Sequence, residues 1–134
     1  MFDGPIVERE YRLIMSFDLP VGSDVVGLEF YSPKKEDGDR ILVVSAEGCA
    51  SVILKTSGET ERKWNLDCVP SCMFWDPVTQ VLAVGSSSGH VSIFLQDAPI
   101  TKVPSMHEGF VSSIGILGRF LVSGGSDGSI QVWR

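Results

Sequence analysis

Gly124-Gly125-Ser126-Asp127-Gly128-Ser129-Ile130-Gln131-Val132-Trp133-Arg134 is the stretch whose reading decides the fold. It continues a strand that ends at Ser123 into a tight Gly/Asp turn, then into an alternating strand that runs to Trp133. Gly and Asp supply the positive-φ positions a short hairpin turn requires, so the segment reads as a β-hairpin. Two earlier segments share its rhythm. Ile41-Leu42-Val43-Val44 runs into a turn at Gly48, and Val81-Leu82-Ala83-Val84 into a turn at Gly89. With Gly128, the turn glycines lie 41 and 39 residues apart. Alternating strands follow each turn: Ser51-Val52-Ile53-Leu54, Val91-Ser92-Ile93-Phe94 and Ile130-Gln131-Val132-Trp133.

A further strand precedes each hairpin. Val25, Leu28 and Phe30 align with Val69, Cys72 and Phe74, and with Val111, Ile114 and Ile116. This alignment gives Cys72 a core position. It leaves Trp75 at a strand end, either packed under the Pro77 turn or exposed as an anchor for a partner. More polar stretches, 61–66 and 100–104, are long enough for outer-edge strands, where Pro104 is tolerated. A comparable stretch at 11–17 precedes the first copy. The mixed-charge run at 34–40 reads as a solvated loop lengthening one turn, an insertion of small entropic cost. No helical pattern carries caps, so the fold class is all-β. The copies give units at about 24–66, 67–104 and 107–134.

Composition narrows the function classes. A chain of 134 residues with 43% hydrophobic content is long enough for one real core. A net charge of −6 is the wrong sign for general phosphate-backbone binding, so no direct nucleic-acid contact is expected. Three cysteines are odd in number and sparse, which suits free, buried thiols in a reducing compartment. The N-terminus lacks a basic start and long apolar run, and no stretch reaches 18 apolar residues. A cytoplasmic or nuclear location without membrane association is the expectation.

Four-stranded units at a period near 40 with a Gly/Asp turn and terminal Trp resemble the WD40 repeats of β-propellers. The third copy carries the resemblance best, through His107-Glu108-Gly109, Val111, Ser123, Asp127 and Trp133. The resemblance implies a structural tetrad in which His107 bridges Asp127 and Ser123, and Ser123 accepts from the Trp133 indole. The first two copies depart from it: Val43 and Val84 replace the Ser, Glu47 and Ser88 the Asp, Ile53 and Phe94 the Trp, and Val21 and Asn65 the His. The implied architecture is three four-stranded antiparallel blades, too few to close a ring, since propellers have about 4–8. The third blade lacks an outer strand, and the 11–17 strand lacks a blade. A second chain joined head to tail, a different partner chain, or further sequence would complete the ring.

Catalytic readings fare worse. Gly85-Ser86-Ser87-Ser88-Gly89 and Gly124-Gly125-Ser126-Asp127-Gly128 match G-x-S-x-G, and a serine hydrolase using Ser87 or Ser126 can be written with His90, His107 and Asp127. The nucleophile elbow needs a following helix, whereas a strand follows both turns here. A phosphate loop would need a Lys-Ser/Thr pair that neither turn has. Cys68 and Cys72 make one ligand pair where zinc needs four ligands. His90, just after a turn, reads as exposed. No cofactor or metal is expected. The reading is a non-catalytic scaffold for protein partners, or a purely architectural subunit. Its candidate binding positions are Ala46, Ser87, Phe110, Ser126 and Trp75.

Overall fold

The computed structural model describes residues 11–19, 24–31, 40–96, 98–103 and 107–134. Within them the chain forms eleven strands: β1 (Val25–Tyr31), β2 (Arg40–Ser45), β3 (Cys49–Leu54), β4 (Thr60–Asn65), β5 (Pro70–Asp76), β6 (Val81–Ser86), β7 (Val91–Leu95), β8 (Ala98–Val103), β9 (Val111–Leu117), β10 (Phe120–Gly125) and β11 (Ile130–Trp133). These make three antiparallel meanders, β1-β2-β3-β4, β5-β6-β7-β8 and β9-β10-β11. The protein is all-β, with open sheets stacked as in part of a propeller. The Val21 position, the charge run before Arg40 and Pro104 lie outside the described residues.

Each second-to-third strand turn is built alike. Gly48, Gly89 and Gly128 adopt φ of 95°, 92° and 82°, and their N–H groups bond the carbonyls of Ser45, Ser86 and Gly125. A side chain at such φ is strained, which is why glycine marks the period. Each first strand also carries the same bulge. Val25 and Gly27 pair with Ser45 and Val44, Pro70 and Cys72 with Ser86 and Gly85, and Val111 and Ser113 with Gly125 and Gly124.

The core lies between sheets. Leu42, Val44, Ala50 and Val52 of the first sheet meet Trp75, Leu82, Val84 and Phe94 of the second, and Tyr31 packs on Trp75 with ring centroids 5.0 Å apart. Cys72, Ala83, Val91 and Ile93 of the second sheet meet Val111, Ile114, Ile116 and Leu121 of the third. Sheets packed on both faces present apolar side chains at odd and even positions alike.

That two-sided burial corrects the alignment of β5. The slots of Val25, Leu28 and Phe30 are filled by Pro70, Met73 and Trp75, one residue later than Val69, Cys72 and Phe74, as their pairing with Ser86, Val84 and Leu82 requires. Cys72 therefore faces the third sheet, on the opposite side from Met73. Val69 falls before the strand and is 60% exposed, whereas Trp75 is 6% exposed, a core residue rather than a surface anchor. Shifting phase by one residue exchanges the two faces of a strand. The His position moves similarly. The Leu66 N–H bonds Gly48 as the His107 N–H bonds Gly89, so the counterpart of His107 is Leu66, not Asn65.

The third sheet has three strands, in line with the outer strand expected to be missing there. One strand expectation changes. Residues 11–19 form no strand: a strand needs a sheet edge, and the edge assigned to this one, beside β11, belonged to a ring that one chain does not close. Leu19 instead lines a hollow with Val43 and Ser51 on the first sheet.

Candidate functional site

Three turns and three incoming segments gather at one end of the stack. The N–H groups of Ala46, Ser87 and Ser126 donate to the carbonyls of Asp24, Val69 and Phe110 at 2.8, 2.9 and 2.9 Å. Each bond ties a hairpin turn to the segment that enters the first strand of its own sheet. The repeated anchor places Ser87, Ser126 and Phe110 on this end with exposed side chains, and Ala46 half-buried. Val69 and Phe110, equivalent in adjacent sheets, stand 60% and 49% exposed. Val69 was missed because its apolar side chain suited the misphased strand. The signal that finds it is the proline beside it, which occupies the first paired position of β5.

The loops of this end carry acidic residues only, with Lys102 of β8 as a cation near Cys68 and His90. Asp24, Glu47, Asp67, Glu108 and Asp127 lie in its loops, and no Lys or Arg occurs among their described residues. Arg40, Lys55 and Arg119 lie at the other end, around the first-to-second strand turns and the end of β3.

A histidine cluster fixes the incoming segment at 107–110. His107 is 5% exposed. Its Nδ1 lies 3.1 Å from Asp127 Oδ1 and 2.8 Å from Ser129 Oγ, and its Nε2 lies 2.8 Å from Ser123 Oγ. With Nδ1 as donor, Nε2 accepts the Ser123 hydroxyl, and both ring nitrogens are satisfied. Asp127 also accepts the N–H and hydroxyl of Ser129 and the N–H of Glu108. These donors, the Ser129 hydroxyl foremost, hold its carboxyl well below the usual carboxylate range. Ser129 had no place in the tetrad, and only the folded turn brings its hydroxyl to His107. Trp133 pairs with Leu121, two residues along from Ser123, and is 39% exposed.

Order Ser–His–Asp invites a catalytic reading, but Ser123 is 2% exposed, beyond a substrate's reach. Ser87 and Ser126, the hydroxyls that G-x-S-x-G singles out, are not the ones the histidines hold. His90 Nδ1 meets Ser86 and Ser88 at 2.9 and 2.8 Å. His90 is half-buried rather than exposed, and desolvation, with the nearby charge of Lys102, pushes its pKa down. Burial likewise pushes the Cys72 thiol up, which makes it a poor nucleophile.

No family model matches the chain, and no curated protein matches it. Solved structures do. A chain of the crystal structure of the mitotic checkpoint complex superposes with a TM-score of 0.69 at 21% identity, over 87% of this chain and 35% of that one. The computationally designed Ika8 protein superposes with a TM-score of 0.63 at 16% identity, over 82% of this chain and 33% of that one. The chain thus spans about a third of the length of either structure. At these identities the likeness shows the fold alone: the protein shares its stack of antiparallel sheets with them.

Proposed function

We propose that the protein is a WD40-like interaction scaffold without catalysis of its own, and that its turn end is the surface that takes a partner. The observation that carries this is the repeated anchor between the Ala46, Ser87 and Ser126 N–H groups and the Asp24, Val69 and Phe110 carbonyls. It presents loops from three sheets side by side on a rigid base, an arrangement suited to recognition. Two exposed apolar side chains among five carboxylates favour a cationic protein segment that carries an apolar residue. Apolar contact supplies affinity and the carboxylates supply steering, which falls with salt.

Fluorescence anisotropy with labelled Lys/Arg peptides that contain one Leu or Phe, beside Asp/Glu counterparts, tests the reading. The cationic set should bind more tightly. Phe110→Ala should weaken it about tenfold, the effect of one well-packed apolar anchor. Equal binding of both peptide sets, or binding indifferent to Phe110→Ala, would refute the surface.

A further inference from the structure

At both sheet-to-sheet interfaces inside the chain the first strand of the later sheet presses on the sheet before it, at positions that differ between the two. The two ends of the stack carry the unused halves of such contacts. In the first interface Met73 presses on Gly27, where a Cβ would stand 2.5 Å from Met73 Cγ. In the second, Val111 presses on Gly85, where a Cβ would stand 2.7 Å from Val111 Cβ. The register assigns the equivalents. Val25 stands where Pro70 and Val111 stand, and Leu28 where Met73 and Ile114 stand. On the receiving side Gly124 matches Gly85, and Ser113 matches Gly27 and Cys72. Leu117 likewise holds the place of Tyr31, and Phe30 that of Trp75, the ring that Tyr31 meets.

These residues have no neighbouring sheet among the described residues. Val25, Leu28 and Phe30 on the first sheet are 52%, 61% and 71% exposed, and Leu117 on the third is 84% exposed. The receiving face is hollow. Ser113, Gly115, Val122, Gly124 and Ile130 line a cavity of about 290 Å³, and a Cβ on Gly115 would meet nothing within 4 Å. Nearer the outer strands of the first sheet, Val43 and Ile53 are already covered, with Leu19 beside Val43, so the free contact is along β1.

We infer that a second copy of this chain covers both ends, head to tail, with Val25 on Gly124, Leu28 on Ser113 and Phe30 on Leu117. A foreign partner would have to supply both halves of the interface, whereas this chain already holds both. Two copies make six sheets, inside the range in which such stacks close. A heterologous contact of this kind closes into a ring or runs on as a filament, depending on its rotation. Six sheets put this one in the closing class.

Sedimentation of the full chain at micromolar concentration should give one species of twice the 14.6 kDa chain mass. Leu28→Asp, at a position 61% exposed in the single chain, should return it to a monomer that still melts cooperatively, with a midpoint no longer dependent on concentration. Leu28→Cys combined with Ser113→Cys should give a disulfide-linked dimer under oxidising conditions, and neither single variant should. A native chain that stays monomeric overturns the inference. So does a ladder of larger species, or a dimer that survives Leu28→Asp and is not trapped by the cysteine pair.

Discussion

Trp75 and Val69 exchange roles between two phases of β5, so substituting each decides which phase is right. Trp75 is 6% exposed, packs on Tyr31 at 5.0 Å and belongs to the cluster that joins the first two sheets. Truncating such a ring costs about 3–5 kcal/mol. Its indole N–H is buried without a partner among the described residues, so its removal loses no hydrogen bond and relieves part of the desolvation penalty. Trp75→Ala should therefore destabilise by about 2–4 kcal/mol, and Trp75→Phe, which keeps a ring on Tyr31, by about half that. Val69→Ser, on an exposed residue ahead of the strand, should stay within about 0.5 kcal/mol. Urea unfolding monitored by far-UV dichroism reads the difference. With a slope of about 1–3 kcal/mol per molar, Trp75→Ala should lower the midpoint by roughly 1–2 M and Val69→Ser should leave it in place. The reverse pattern, with Val69→Ser costly and Trp75→Ala silent, would show that the strand is phased the other way.

Removing the His107 ring loses its bonds to Ser123, Asp127 and Ser129 and leaves a cavity, so His107→Ala should destabilise by about 2–3 kcal/mol, whereas His107→Leu, which copies the Leu66 solution, should cost less in the same melts. The Asp127 carboxyl titrates below its unfolded counterpart, so its contribution is complete above the usual carboxylate range and disappears as pH falls below about 4. Asp127→Asn should flatten that acid limb, and equal steepness in both proteins would contradict the hydrogen-bond account. For hydrolysis, Ser126→Ala should leave background turnover of an activated ester unchanged, and its abolition would restore the serine-hydrolase reading.

Second and third strands were legible because one residue type anchors them. A glycine at φ near 90° in each turn sets the pairing of β2 with β3, β6 with β7 and β10 with β11, and the period follows from it. First strands have no such anchor. Each enters through a bulge whose extra residue is Val26, Ser71 or Ser112, and each then presents apolar groups to both sides. Val69-Cys72-Phe74 and Pro70-Met73-Trp75 share the same spacing, so hydrophobic pattern alone scores them equally. What separates them is pairing: the Ser87 N–H reaches the Val69 carbonyl, which keeps Val69 outside the strand and starts the ladder at Pro70.

The same bond explains why the site was half visible. Ser87, Ser126 and Phe110 could be placed from turn positions, because turns are local. Val69 could not, because its exposure depends on a phase that only the neighbouring strand sets. Ser129 was hidden for a related reason. Its hydroxyl reaches His107 across 22 residues, and the Gly128 turn, not any spacing motif, aims it there. Residues whose roles depend on one turn are readable from order along the chain. Those whose roles depend on the register of a two-sided strand become readable once that strand's first pair is known, and in the second sheet that pair is Pro70 with Ser86.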